Sequence, residues 1–305
     1  MSAVAAPSFR LSVGPVLYYW PRATLLDFYA ALIEAPVDTV YLGEVVCSRR
    51  HEMKLDDWLT VARSLADAGK QVVLSGQALI ESEAELRTLH RLVDNGEFLV
   101  EANEAAALHR LAGRPFVIGP HVNVYSAPAL DALAELGAVR WVPPLEMPLD
   151  AVALVNPPQR VPAVETEVFA FGRLPLAFSA RCFTARHYGL NRDECAFRCM
   201  DHPDGLTLKT QEGEPFLALN GLQTQSARVQ CLLGWRNALT AAGVQRVRLA
   251  PVARNFDRVI ETFDAVFNRA ADADAALDTL IAAGLPGAPA DGYARGGPGF
   301  EWRPA

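Results

Sequence analysis

Five cysteines are the residues of this chain with the clearest capacity for chemistry: Cys47, Cys182, Cys195, Cys199 and Cys231. Their odd number argues against a disulfide framework. Three of the five fall within the eighteen residues from Cys182 to Cys199, in the polar, arginine-rich stretch ARCFTARHYGLNRDECAFRCMDHPDG. Cys195 and Cys199 stand four apart, a spacing that on a helix puts both thiols on one face. Cys182 precedes them by a twelve-residue spacer, and Cys47 is a distant fourth. Four thiolates suit tetrahedral zinc or a [4Fe–4S] cluster. Zinc ligands usually come as C-x₂₋₄-C knuckles on both halves of a site. Here only one half is paired, which favours a cluster modestly and leaves zinc open. Scattered buried thiols are the third alternative. Arg181, Arg186, Arg192 and Arg198 would offset the charge of such a thiolate group, and Phe183 and Phe197 would shield it. Cys231, in VQCLLGW, reads as a core residue on a predicted helix.

A second set of reactive side chains follows short apolar runs: Glu44, Arg49 and Arg50, then Gln77, Glu101 and Asn103, His121, Asn123 and Tyr125, and Glu146. Glu165 and Glu167 lie within such a run. Their spacing of two puts both carboxylates on one side of a strand, where a buried carboxylate must be paired or functional. Of the six histidines, His121 alone is placed at a predicted strand end, as a general acid or base would be. There is no Gly-x-Ser-x-Gly elbow, no His-Glu-x-x-His and no P-loop.

The elements that must position these residues alternate along the chain. Predicted strands are Leu11–Leu17, Thr39–Gly43, Gln71–Ser75, Phe98–Glu101, Phe116–Gly119, Arg140–Val142, Ala163–Phe171 and Val247–Leu249. Predicted helices include Thr24–Ala35, Leu55–Ala68, Ser82–Asp94, Asn103–Leu111, Ala127–Leu136, Arg228–Ala242 and Phe256–Ala270. Alternation with short loops means parallel β/α architecture, and eight strands suit a (β/α) TIM-type barrel, complete or distorted. No Gly-x-Gly-x-x-Gly follows the first strand, so a dinucleotide-binding sheet lacks support at its usual place. The reading is one barrel domain over residues 9–270 that includes a cysteine-rich segment at 178–215. A C-terminal helix and a loosely ordered tail follow over 271–305. In a barrel the active site lies at the C-terminal strand ends, so the residues above would gather on one face.

Composition narrows the function. The chain has 305 residues, is 51% hydrophobic and carries a net charge of −7, which argues against general nucleic-acid binding. No apolar run reaches the ~20 residues of a membrane span. Met1 to Leu11 lacks a signal-peptide layout, so a cytoplasmic protein is expected.

Particular segments point further. VGPVLYYWPR (from Val13), VYLGEVVCSRR (from Val40), NGEFLVEAN (from Asn95), LPLAFSARCFTARH (from Leu174) and DECAFRC (from Asp193) resemble the collagenase-like peptidase family, U-32. The resemblance runs from about Leu11 to Phe267. Leu-Gly-Glu-x-x-Cys-Ser-x-Arg and Ser-Ala-Arg-Cys-Phe-Thr-Ala-Arg are its specific motifs. It implies that Cys47, Cys182, Cys195 and Cys199 hold a [4Fe–4S] cluster, and so raises the cluster well above zinc. It also implies a heterodimer with a UbiU-type sister protein and work alongside a UbiT-type lipid-binding protein. The implied reaction is oxygen-independent hydroxylation of a ubiquinone precursor. Other members of the family modify RNA bases. The peptidase label has no catalytic triad or zinc-protease motif behind it in this chain. Cys231 and the Gly/Pro-rich tail depart from the pattern.

Three functions follow as expectations: a redox subunit of an oxygen-independent hydroxylase, an RNA-modifying enzyme, or a zinc-stapled scaffold for a partner. Four protein thiolates leave no iron open to substrate, so a cluster here is expected to carry electrons. Glu44, Glu101, His121 and Glu167 are the candidate catalytic groups. Arg49, Arg50, Asn123 and Arg181 are the candidates for holding a substrate acid.

Overall fold

The computed structural model describes residues 9–303. Residues 1–8, most of the segment read above for a signal sequence, and the last two residues of the tail lie outside the described residues.

Seven strands alternate with helices in the first half of the fold. They are β1 (Arg10–Val13), β2 (Thr39–Leu42), β3 (Gln71–Ser75), β4 (Leu99–Ala102), β5 (Phe116–Ile118), β6 (Ala138–Trp141) and β7 (Glu165–Phe178). Three antiparallel strands follow, β8 (Leu206–Lys209), β9 (Pro215–Asn220) and β10 (Gln223–Cys231), before β11 (Arg246–Leu249) and the short β12 (Pro289–Ala290). Strands β1 to β7 pair in parallel in sequence order, and β11 closes the ring. It pairs in parallel with β1, Arg10 opposite Arg246, and with β7, Arg246 opposite Glu167. The result is a closed eight-stranded parallel barrel of the TIM type, as the alternation of the sequence predicts. All eight predicted strands are barrel strands.

The helices show why local sequence suffices for this much. Helix α1 (Arg22–Ala31) buries Leu25 and Tyr29, and α2 (Leu55–Asp67) buries Trp58, Ala62 and Leu65 on one stripe. Helix α3 (Glu83–Val93) is capped by Ser82, whose hydroxyl accepts from the Glu85 N–H.

The expected helix Arg228–Ala242 is corrected at its start: residues 228–231 end strand β10, and only a 3-10 turn at Leu233–Trp235 and a short helix at Arg236–Ala241 follow. Alternate residues of β10 are buried, and β7 runs on past the barrel rim to pair with it antiparallel. That long-range pairing overrides the local helical pattern. Gly172 makes the extension of β7 feasible. Its φ is +126°, and a Cβ there would lie 2.6 Å from that of Ala250. Cys231 is therefore a strand residue, fully buried as its core reading requires.

The C-terminal helix is present at Ala273–Ala283. The chain beyond it is tied down rather than loose. β12 adds to β10, and the buried Asp291 carboxylate accepts from Trp235 Nε1 (3.2 Å), Arg295 Nε (2.8 Å) and the Arg303 N–H (3.2 Å). The buried acceptor fixes a Gly/Pro-rich segment whose own propensities specify little.

The barrel interior holds a ladder of charge. Glu165 and Glu167 both point inward, as their spacing predicts. Glu165 Oε2 lies 2.8 Å from both Arg140 Nε and Arg246 Nε. Glu167 accepts from Arg248 Nε (2.8 Å) and from the Tyr41 hydroxyl (2.6 Å). One layer higher, Arg248 Nη1 donates to Glu101 (2.7 Å), which also accepts from the Ser75 hydroxyl (2.7 Å). Three arginines meet three carboxylates, so the buried charges balance, as burial demands. No helix among the described residues is long and apolar enough to cross a membrane.

Candidate functional site

Cys47 lies in the loop after β2. The Glu44 carboxylate shapes that loop by accepting from the N–H groups of Val46 (2.9 Å) and Cys47 (3.0 Å). Cys182 caps a short helix, Phe183–His187, its sulfur accepting from the Ala185 N–H at 3.4 Å. Cys195 and Cys199 do not share a helix face. Cys195 ends one 3-10 turn and Cys199 sits in the next. Between them Ala196 and Phe197 are left-handed, with φ of 47° and 52°. Two such residues reverse the local helix, a conformation that costs ordinary residues energy and that surrounding contacts must hold. The Phe197 ring packs against Tyr19 at 5.5 Å.

All four cysteines line one cavity, together with Arg49, Arg50, Arg192 and Arg198. Arg49 staples the β2 loop to the cysteine-rich segment: Nη1 and Nη2 donate to the Asp193 carboxylate (2.9 Å) and carbonyl (2.7 Å). Arg192 bridges to Glu81 at 2.5 Å. The fully buried Arg50 donates to the Leu17 carbonyl (2.8 Å) and to Asn220 Oδ1 (2.7 Å), and lies 3.5 Å from Glu44. Of the four arginines expected beside the thiols, Arg192 and Arg198 are there. Arg181 and Arg186 are exposed and outside the cavity lining; Arg49 and Arg50 take their place.

Burial pushes the Cys47 thiol up to about 11, against the opposing pull of Arg50. Cys199 is likewise raised by burial while Arg50 pulls it down. Protein surroundings alone thus keep these groups as thiols, and a cationic metal centre is what would deprotonate them. Among the described residues, no three or more Cys, His, Asp or Glu converge on a single-ion position. Four thiol side chains lining one cavity, faced by arginines, are a donor set that fits an anionic iron–sulfur group and leaves zinc open.

The other expected site residues form separate groups. Glu101, Asn103, His121 and Arg248 line a smaller cavity at the barrel mouth. Glu101 and Glu167 are saturated by arginine, tyrosine and serine donors. Burial works against the Glu167 charge, but Arg248 and Arg140 outweigh it and hold the carboxyl below its usual range. Burial first, then Arg248, pushes His121 down to about 3. The ring is neutral at physiological pH, so His121 is a poor general acid. Its ring resonances are expected not to titrate between pH 5 and 8 in a histidine-selective NMR series; a midpoint near 6.5 would contradict this environment. Glu44 belongs to the Cys47 loop, where burial raises its pKa against the pull of Arg50. Asn123 is exposed, and Glu146 accepts from the exposed Tyr125 hydroxyl; none of the three lines that cavity.

Arg140, Arg246 and Arg248 were not among the expected residues. Arg246 and Arg248 show the same spacing of two on a strand that marks Glu165 and Glu167, and that signal identifies them as interior partners.

Fold and site together define a (β/α)₈ barrel with a cysteine-bearing insertion between its seventh and eighth strands. The sequence model of peptidase family U32 matches residues 26–281, and the chain belongs to that family. Among solved structures it is similar to the U32 peptidase Mk0906, at 13% identity over 83% of this chain and 97% of that one, with a TM-score of 0.44. It is also similar to N-acetylneuraminate lyase from Mycoplasma synoviae (11% identity, 91% and 84% coverage, TM-score 0.44). Another such structure is the phospho-2-dehydro-3-deoxyheptonate aldolase of Thermotoga maritima (10%, 88% and 74%, 0.42).

Proposed function

We propose that this chain is a UbiV-type iron–sulfur subunit of an oxygen-independent hydroxylase in ubiquinone biosynthesis. It would act in the cytoplasm as a heterodimer with a UbiU-type sister protein, alongside a UbiT-type lipid-binding protein. The observation that carries the reading is the single cavity lined by four cysteines and four arginines.

Cys47, Cys182, Cys195 and Cys199 would hold a [4Fe–4S] cluster. When bound, that group supplies one-electron transfer. The chain's other residues prepare the place. Arg49 fastens the loop bearing Cys47 to the segment bearing Cys195. Arg50 brings a buried positive charge to the thiol cavity and spends its terminal nitrogens on Leu17 and Asn220, so it is not free to grip a substrate. Phe197 lines the cavity and packs its ring on Tyr19. The saturated Glu101 and Glu167 stabilise the barrel rather than move protons.

The test is iron, sulfide and zinc per chain, with a visible spectrum, on protein purified without oxygen. About four irons and four sulfides, with absorbance that bleaches on reduction, is the expected result. Stoichiometric zinc without iron, even after anaerobic reconstitution, would overturn it in favour of a zinc-stapled scaffold.

A further inference from the structure

Two short elements carry two of the cavity's thiols, and each is anchored to a different part of the fold. Cys182 caps the start of the helix Phe183–His187, whose Thr184 hydroxyl accepts from the Gly221 N–H (3.0 Å) in the turn between β9 and β10. Cys199 lies in the 3-10 turn Arg198–Asp201. Just beyond that turn the Pro203 carbonyl accepts from Trp20 Nε1 (2.8 Å) in the loop after β1. The turn follows the left-handed Ala196 and Phe197, a conformation that its surroundings must hold.

Tyr188 joins the two elements. It caps the end of the Cys182 helix, and its hydroxyl shares a hydrogen bond of 2.6 Å with His202 Nε2. His202 ends the Cys199 turn, and its own N–H donates to the Cys199 carbonyl (3.2 Å). The Tyr188 and His202 rings are stacked, with centroids 6.0 Å apart. Over the Tyr188 ring sits the Arg198 guanidinium, 4.4 Å from its centroid, within cation–π range. Arg198 lines the cysteine cavity, whereas Tyr188 and His202 do not.

We infer that Tyr188, His202 and Arg198 form a clamp that positions Cys182 against Cys199 and holds the Arg198 charge at the cavity. Groups one step removed from metal ligands commonly alter metal affinity by about 10–100-fold. Tyr188 and His202 are positioning residues, because they act through the elements that carry the thiols. The clamp needs only a metal on the four thiols; its effect on a reduction potential rests on the redox reading above.

Release of the bound metal, iron or zinc, from the anaerobically purified full chain to excess EDTA tests the clamp. Tyr188→Phe keeps the ring, loses the hydroxyl and should release metal about tenfold faster than wild type. His202→Phe should do the same, and the double variant should be no faster than either, as for one shared interaction. His202→Gln, whose amide can replace the ring nitrogen, should restore most of the wild-type rate. Thermal midpoints are the folding control; if His202→Phe does not fold, Tyr188→Phe against His202→Gln still decides. Unchanged release in Tyr188→Phe, additive rates in the double variant, or equal rates in His202→Gln and His202→Phe overturn the clamp. Tyr188→Leu removes the ring beneath Arg198 and should move the reduction potential to a more negative value, since a nearby cation favours the reduced form. Tyr188→Phe should shift it less. A potential unchanged in Tyr188→Leu overturns the charge-holding role. Zinc in place of iron removes the redox reading and leaves the clamp to zinc release, whereas four irons with unchanged release removes the clamp alone.

Discussion

Cys47→Ala is expected to empty the site of iron, from about four atoms per chain to almost none, with loss of the visible absorbance. Cys47 is the only thiol that the β2 side of the barrel contributes to the cavity; the other three come from the insertion. A cluster with one corner unligated and exposed to water is labile. Metal binding is also folding free energy, so the variant's thermal midpoint should drop towards that of chelated wild-type protein. Cys231→Ala is the matched control. Cys231 is buried at the end of β10 and absent from the cavity lining. Its loss should cost only about 1 kcal/mol of packing and leave the iron content unchanged. Full iron in Cys47→Ala would remove the four-ligand arrangement.

The second large effect lies in the barrel interior. Glu167→Ala is expected to destabilise the protein by about 3–5 kcal/mol, the usual cost of leaving a buried charge without its partner. Arg248 and Arg140 would face each other across Tyr41 with one carboxylate fewer. Thermal midpoints of the two proteins at pH 7 check this, and an unchanged midpoint would contradict it. The pH dependence has a definite sign. Burial raises the Glu167 pKa, but Arg248 and Arg140 bring it below the ordinary value of 4.5. Its contribution to stability is therefore complete above that value and disappears as pH falls through the lower folded-state pKa. Wild-type stability should fall steeply below pH 4.5, and Glu167→Gln should flatten that fall.

Much of this was readable from residue order. The eight barrel strands are short runs of apolar residues interrupted by a few inward-facing polar or charged ones, between helices of 3.6-residue period, and both signals are local. The inward direction of Glu165 and Glu167 follows from their spacing of two. The start of the helix expected over Arg228–Ala242 was misread, because pairing of β10 with the β7 extension, rather than its own pattern, makes residues 228–231 strand. The break between Cys195 and Cys199 was hidden for a similar reason. Spacing of four is compatible with a helix, and the left-handed Ala196 and Phe197 that break it carry no glycine or other local signal.

The sequence by itself determined the class of barrel, the set of four cysteines available for a metal group and the inward face of β7. Only the tertiary structure decided which charges meet. Arg49 and Arg50, rather than Arg181 and Arg186, face the thiols; Arg248 occupies Glu101 and Glu167, the two interior carboxylates among the candidate catalytic groups. Which charge a side chain meets depends on strand stagger around the closed barrel and on how the insertion folds back over its rim. Local periodicity says which side chains face inward but not which of them meet across the barrel, as Glu101 and Arg248 do.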